Sequence, residues 1–272
     1  MNHLFELREV SYSYADGRRA LERISFSVSA GESLVILGAN ASGKSTLLHL
    51  MDGLIFPGSG ELHVFGRELS AAALAGREFA WEFRRRVGLL FQDPEAQLFC
   101  PTVGEEIAFG PAQLQLAAGE IEGRIRDLLR MLRLEAQAEL APYALSGGEK
   151  KKVAIAAVLA VGPEVLLLDE PTGGLDPRTQ REMVELVIAL NRAGKTIIAA
   201  THDLAIVDEL ATRVLVLSEE HRLVAEGTAD EILGNTDLLL AVNLLHEHLH
   251  EHPGLAHRHA HTHERGHRHE HS

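Results

Sequence analysis

Ser33–Thr46 reads SLVILGANASGKST. The apolar run Ser33–Leu37 breaks into a glycine-rich turn, which is the pattern of a strand buried on both faces. From Lys44 to Leu54 the apolar spacing is helical and stops at Gly53. Between strand and helix, Gly38–Thr46 matches G-x-x-x-x-G-K-[ST]. Such a match arises by chance in roughly one per cent of chains this long, and its place in a strand–turn–helix unit is the context that gives it meaning. Gly38 and Gly43 let the backbone wrap a phosphate chain with its N–H groups turned inward. The helix that follows adds the positive end of its dipole. Lys44 is placed to reach β- and γ-phosphates, and Ser45 to offer its hydroxyl to Mg²⁺. The bland alternative is a glycine-rich connection with an exposed lysine.

Val165–Pro171 reads VLLLDEP. An apolar strand here delivers two adjacent carboxylates to its carboxyl end, where ligands sit in open α/β sheets. Asp169 is the expected Mg²⁺ partner. Glu170 is the expected base or water-orienting group for attack on a γ-phosphate. Alone, the pair reads equally well as two solvated acids; the phosphate loop upstream makes the chemical reading the stronger.

Around these two stretches the chain reads as β followed by α/β. Leu4–Val10 and Ile24–Val28 are expected strands joined through the turn at Ala15–Gly17. Val87–Phe91, Val165–Leu168, Thr196–Ala200 and Arg213–Leu217 are further short apolar runs, alternating with helical patterns at Pro177–Arg192 and Leu204–Leu210. That alternation implies a parallel sheet covered on both faces. A helix-rich middle, about residues 95–160, interrupts it as an insertion. After Asn235 the composition changes. Asp237–Leu245 is a short leucine-rich helix candidate, and the rest is low-complexity and expected to lack fixed structure.

The chain has 272 residues, 46% apolar and 24% charged, with 26 basic against 39 acidic residues. A net charge of −13 gives no electrostatic basis for binding nucleic acid. A single cysteine, Cys100, excludes an internal disulfide framework and a cysteine-cluster metal site, which fits a reducing compartment. No signal peptide is visible, and no apolar run approaches the roughly 18 residues of a membrane span. Cys100 and Trp81 carry no motif and read as packing residues; Arg84–Arg86 reads as a solvated basic face.

Leu145–Glu149 reads LSGGE and is followed by Lys150–Lys152. With the phosphate loop, the glutamine at 92, the acidic strand, the segment Gly174-Leu175-Asp176 and His202 after a strand, this order resembles the ABC-transporter ATPase family over about residues 3–235. The one departure is Glu149 where glutamine is commoner. The resemblance implies a P-loop NTPase cassette: a RecA-like parallel-sheet core, an N-terminal antiparallel β subdomain and an inserted α-helical subdomain. Residues 1–235 would form the cassette and 236–272 a short helix with a His-rich tail.

The resemblance also implies that two copies, or this chain and a homologous ATPase, sandwich two ATP molecules head to tail. Gly38, Asn40, Gly43, Lys44, Ser45 and Thr46 would hold nucleotide from one side, and Ser146, Gly147, Gly148 and Glu149 from the other. The residues make physical sense of this, because a hydroxyl and two glycines opening a helix form a second anion site. Gln92 would link Mg²⁺ or the attacking water to the helical insertion. Asp176 would cross the dimer interface, although Asp before Pro177 is equally an ordinary helix N-cap. His202 would contact the γ-phosphate. Tyr14 is favoured over Tyr12 to stack on adenine, because it immediately precedes the turn.

Phe91–Pro111, FQDPEAQLFCPTVGEEIAFGP, resembles the energy-coupling-factor importers. It lies where such ATPases meet their membrane partner. Sixteen histidines occur, eleven of them after residue 245: His246, His248, His250, His252, His257, His259, His261, His263, His267, His269 and His271. Their H-x-H spacing offers chelating imidazole pairs in an extended chain, while a solvated pH-responsive tail and a purification tag are the plainer readings. Together these features resemble the ATPase of cobalt or nickel uptake systems. Such a subunit would sit peripherally on the cytoplasmic face of the membrane, with ATP and Mg²⁺, a transmembrane coupling protein and a substrate-binding membrane protein, and with Ni²⁺ or Co²⁺ on the tail. The competing expectations are the same ATPase role for another small nutrient such as a vitamin, and a nucleotide-regulated cytosolic metal-binding protein.

Overall fold

A computed structural model describes residues 3–252 and 255–262. Strands β1 (His3–Ser13) and β2 (Arg19–Ser29) pair antiparallel across the Ala15–Gly17 turn, both longer than their apolar centres suggest. β3 (Ser33–Leu37) runs into the phosphate loop and α1 (Lys44–Met51). β4 (Ser59–Val64) and β5 (Arg67–Glu68) extend the first sheet in the order β2-β1-β4-β5. Neither is expected from sequence, because Gly60, Glu61 and His63 mask the alternation of β4.

Helices α2 (Ala71–Ala75) and α3 (Arg77–Arg86) lead to β6 (Val87–Leu90). The insertion follows as α4 (Val103–Gln113), α5 (Ala118–Leu132) and α6 (Gly147–Val161). Then come β7 (Val165–Asp169), α7 (Pro177–Arg192), β8 (Thr196–Thr201), α8 (Leu204–Leu210), β9 (Arg213–Leu217) and β10 (Leu223–Gly227). The second sheet has the order β10-β9-β3-β8-β7-β6, parallel except for β10.

Both faces of this sheet are buried, as its unbroken apolar strands require. Val35, Leu37, Leu166 and Leu168 enter one core with α4–α8, whereas Leu34, Ile36, Val165 and Leu167 enter a second with α1, α3 and the antiparallel sheet. Alternate residues of a strand thus feed opposite cores. The consequence for function is geometric. The carboxyl ends of β3, β8 and β7, neighbours in the sheet, bring the phosphate loop, His202 and Asp169–Glu170 to one edge.

Two expectations about side chains change. Arg84–Arg86 is not simply a solvated face: Arg84 bonds the Asp52 carboxylate at 3.1 Å, and Arg86 lies over the Phe65 ring at 3.4 Å and pairs with Glu164 at 2.9 Å. Trp81 is 47% exposed, with Arg85 over its ring, rather than packed in a core.

The C-terminal segment also differs. α9 (Ala229–Leu233) precedes α10 (Thr236–Ala241), which stops four residues short of Leu245 because Asn243 takes a left-handed conformation (φ 59°). β11 (Leu245–His252) and β12 (Leu255–Thr262) then pair antiparallel, so part of the tail expected to be structureless forms a backbone ladder. Every second position is histidine, and the register sets His246, His248 and His250 against His261, His259 and His257. His263, His267, His269 and His271 lie outside the described residues.

Candidate functional site

The phosphate loop is fixed by tight packing at both glycines. A Cβ on Gly38 would lie 2.6 Å from the Ser42 hydroxyl and 2.8 Å from the Leu217 carbonyl. Gly43 has φ 109° and a Cβ there would collide with the Ala20 carbonyl. Gly43 is also the N-cap of α1 and supplies no side-chain cap, so the first N–H groups of the helix are left for another acceptor. Lys44 is almost fully buried. Its Nζ donates to the Gly38 and Ala39 carbonyls at 2.9 and 3.1 Å and lies 3.6 Å from Glu170 Oε1. Burial pulls the Lys44 ammonium below its ordinary pKa, against the opposing pull of Glu170 and Asp169.

At the end of β7 the chain kinks. Glu170 is buried with φ 44°, a conformation that a non-glycine residue holds only where its surroundings impose it. That kink brings consecutive acids to one site. Glu170 Oε1 lies 2.8 Å from His202 Nδ1, and its Oε2 accepts from the Thr201 hydroxyl at 3.1 Å. Lys151 locks the backbone beneath: its buried ammonium donates to the Glu170 carbonyl at 2.6 Å and to the Gln92 carbonyl at 3.2 Å. Burial lowers the Lys151 pKa as well. Lys151 was read from sequence only as part of a basic run; its i+4 apolar neighbours on α6 are the one signal that it points inward.

Asp169 suits a divalent cation. Its Oδ1 is buried without a hydrogen-bond partner, and the Ser45 hydroxyl bonds the same carboxylate. Burial, reinforced by the neighbouring Glu170 charge, raises the Asp169 pKa, the opposite of what a cation at that oxygen would do. An orphaned buried oxygen beside a hydroxyl is the donor set that Mg²⁺ uses with phosphates.

Lys44 and Glu170 open into a cleft of about 440 Å³ lined also by Tyr14, Arg18, Gln92, His221, Asn40, Gly43, Ser45 and Thr46; Gly38, Asp169 and His202 lie behind this lining, joined to it through Lys44, Ser45 and Glu170. Tyr14 donates or accepts at Thr46 Oγ1 (2.7 Å), and Arg18 lies 4.9 Å from its ring centre. Tyr12 meets Tyr14 edge-on but does not line the cleft. Gln92 is exposed on the rim. Glu219 and His221, which sequence reasoning missed, come from the β9–β10 turn; nothing in their local sequence marks them.

Ser146, Gly147, Gly148, Glu149 and Asp176 do not line this cleft. Ser146, Gly147 and Asp176 are exposed, and Gly148 and Glu149 half-buried. Ser146 caps α6 in a capping box with Glu149: the serine N–H donates to the Glu149 carboxylate at 2.9 Å and the serine hydroxyl at 2.7 Å. Those bonds hold the Glu149 carboxyl below its usual pKa. Glu149 therefore serves the helix end as well as glutamine could. A Cβ on Gly148 would meet Thr179 of α7 at 3.3 Å. Asp176 caps α7, accepting from the Arg178 and Thr179 N–H groups at 3.0 and 3.2 Å.

The Phe91–Pro111 segment is held by Glu106, whose buried carboxylate accepts from the N–H groups of Phe99 and Cys100 at 2.9 and 2.7 Å. Thr102 and Glu105 form the capping box of α4, and a Cβ on Gly110 would lie 2.6 Å from Val161 on α6. No described helix is long and apolar enough to cross a membrane. Among the described residues, no cluster of three or more His, Cys, Asp or Glu side chains is placed to hold a metal ion.

A sequence profile for the family described as ABC transporter matches residues 21–173. A putative ABC transporter ATP-binding protein of Methanosarcina acetivorans is 48% identical, covering 100% of this chain and 99% of its own. The nickel import ATP-binding protein NikO of Rhodobacter capsulatus is 44% identical, over 90% of this chain and 97% of its own. The energy-coupling factor transporter ATP-binding protein EcfA of Methanothermobacter thermautotrophicus is 41% identical, over 89% and 76%. Among solved structures, cbiO1 of Clostridium perfringens, part of the ABC transporter complex cbiONQ, superposes with a TM-score of 0.75 at 35% identity, covering 90% of this chain and 96% of that one.

Proposed function

We propose a metal-importing role for this chain, which belongs to the ABC transporter family and, as an ATPase of that family, hydrolyses ATP to drive transport. ATP binds in the cleft. Its polyphosphate takes the N–H groups of Gly38–Thr46 and the Lys44 ammonium, and its base stacks on Tyr14. Asp169 and Ser45, with Gln92 from the rim, would hold Mg²⁺, which would neutralise phosphate charge there. Glu170 accepts the proton of the attacking water, and His202, 2.8 Å from it, orients that carboxylate and reaches the γ-phosphate.

The second anion site, Ser146–Glu149, completes the cleft of another protomer. The exposure of Ser146 and Gly147 at the start of α6 supports this reading. A related cassette, MJ0796, has a dimeric structure at 29% identity and a TM-score of 0.74. Two copies of this chain, or this chain and a homologous ATPase, would sandwich two ATP molecules.

The observation that carries the transport assignment is an exposed aromatic rim on the helical insertion. Phe99 is 66% exposed and stacks edge-on with Phe109 at 4.8 Å; Tyr143 is 86% exposed beside a groove formed with Leu98 and Pro142. Exposed apolar rings grouped in this way mark a protein-binding surface. The occupant is a transmembrane coupling protein, which would hold the chain at the cytoplasmic face of the membrane alongside a substrate-binding membrane protein.

The cargo is a transition-metal ion, nickel or cobalt. The named nickel-import relative and the alternating histidines of β11 and β12 support this, and the tail would concentrate Ni²⁺ or Co²⁺ near the transporter. The energy-coupling factor relatives favour a second reading in which the same machine serves another small nutrient. Purifying the complex from its native membrane and measuring ATP-dependent uptake of Ni²⁺, Co²⁺ and vitamins into vesicles separates them. Metal uptake is expected; uptake of a vitamin alone would leave the tail incidental.

A further inference from the structure

The turn between β9 and β10 touches both the phosphate loop and the start of the C-terminal segment. His221 sits at its tip with φ 64°, in the left-handed region. Its N–H donates to the Ser218 carbonyl at 3.0 Å, and its own carbonyl accepts from the Glu22 N–H at 2.8 Å. The imidazole Nδ1 lies 3.2 Å from the carbonyl oxygen of Ser42. A carbonyl only accepts, so Nδ1 carries the proton.

Ser42 is fully buried and immediately precedes Gly43, whose φ of 109° a glycine adopts without strain. In a planar trans peptide the C=O and the next N–H point in opposite directions. Holding the Ser42 carbonyl toward His221 therefore holds the Gly43 N–H away from it. The orientation of one peptide in the phosphate loop is set from outside the loop. The other side of the same turn is also tied. Glu219 lines the cleft, and its Oε1 accepts from the Asn243 side-chain amide at 3.1 Å. Asn243 lies between α10 and β11, in a left-handed conformation of its own (φ 59°).

We propose that His221 is a positioning residue for nucleotide binding, and that the Asn243–Glu219 bond makes the C-terminal segment part of its support. The proposal rests on the cleft being the ATP site. His221 touches no reacting atom, so its loss weakens affinity without slowing the chemistry of bound ATP.

The backbone conformation supplies the test. Glycine at 221 keeps the left-handed turn without strain but removes the donor. Asparagine tolerates that conformation and offers an amide N–H near the position of Nδ1. In the full-length chain, titrated with ATP by calorimetry and followed by steady-state hydrolysis, His221→Gly should raise both Kd and KM about fivefold, the worth of one hydrogen bond, with kcat within about twofold. His221→Asn should bind nearly as the parent does. Asn243→Gly should raise Kd about twofold, and adding it to His221→Gly should cause no further loss, as for two links in one chain. Unchanged affinity in His221→Gly overturns the proposal, as does a fall in kcat at constant KM, or an asparagine variant as weak as the glycine one. Additive losses at 221 and 243 overturn the tether. Lys44→Ala is the control on the premise: if it too leaves ATP affinity unchanged, the cleft is not the nucleotide site.

Discussion

Two helices of this chain open on glycine and a hydroxyl, yet they are built in opposite ways. α1 has no side-chain cap: it is preceded by Gly43 in a left-handed conformation and opens on the buried Lys44, which lies 3.6 Å from Glu170 of the buried acid pair at the end of β7. α6 is capped by its own Ser146 and Glu149; Ser146 and Gly147 are exposed, and Gly148 and Glu149 half-buried. A helix end whose N–H groups are left open inside a cleft needs an anion to be complete. One that is satisfied by its own side chains at the surface is stable as it stands and gains from an anion only when one is brought to it. On the proposed reading the first is a binding site and the second is half of one, completed by another protomer.

Substitutions test this contrast with graded effects. Lys44→Ala removes the buried cation of the first helix end and strands Asp169 and Glu170. ATP hydrolysis should fall a hundredfold or more, the usual scale for losing a charge-stabilising group in a water-poor site, and nucleotide affinity should fall with it. Near-normal turnover would break the assignment of α1 as the phosphate site. Ser146→Arg puts a bulky cation on the exposed helix end. Hydrolysis should drop at least tenfold while ATP binding to the isolated chain stays within about twofold, since the loop that holds phosphate is elsewhere. If binding by the monomer is lost as well, the two helix ends belong to one site.

Truncation after Leu245 leaves both helix ends and the Asn243 tether in place. ATPase activity should stay within about twofold. Calorimetry should show micromolar Ni²⁺ or Co²⁺ binding by the full chain, fading below about pH 6 as imidazoles protonate, and little by the truncated one. Equal binding by both would move the metal site off the tail.

The smallest effect concerns the far end of α1. Burial lifts the Asp52 carboxyl to about 7, and the Arg84 guanidinium beside it only partly opposes this. A carboxyl raised above its unfolded value of 3.8 stabilises the fold fully below that value, and the contribution is lost as pH rises through 7. Thermal melts of Asp52→Asn should therefore lose part of the parent's fall in stability between those limits, by a few degrees in Tm. An identical pH profile would mean that Asp52 stays ionised on folding.

Much of this was legible in the sequence where chemistry and local structure coincide. Leu34–Leu37 and Leu166–Leu168 announce a two-faced parallel sheet because strands buried on both sides carry no polar residues. The phosphate loop and the acids after β7 are contiguous, so spacing alone displays them. What the sequence hid depends on contacts between distant segments. Lys151 looks like its neighbours Lys150 and Lys152, and only the packing of α6 turns it inward onto Glu170 and Gln92. His221 meets Ser42 across 179 positions, and no local pattern records that. The kink at Glu170 lies in a backbone angle that residue type argues against. The tail carries few apolar residues and so announces no packed element, and the register of β11 on β12 shows only in the backbone ladder.

The central claim is that the cleft of one chain is completed by the Ser146–Glu149 surface of another. Glu170→Gln keeps the shape of the site and removes its base, so bound ATP is not consumed. Size-exclusion chromatography with light scattering, in saturating MgATP, is the direct measurement. The account predicts a dimer for Glu170→Gln and a monomer that still binds ATP for Glu170→Gln combined with Ser146→Arg. A Glu170→Gln chain that stays monomeric with ATP bound, or a double variant that dimerises equally well, would contradict it.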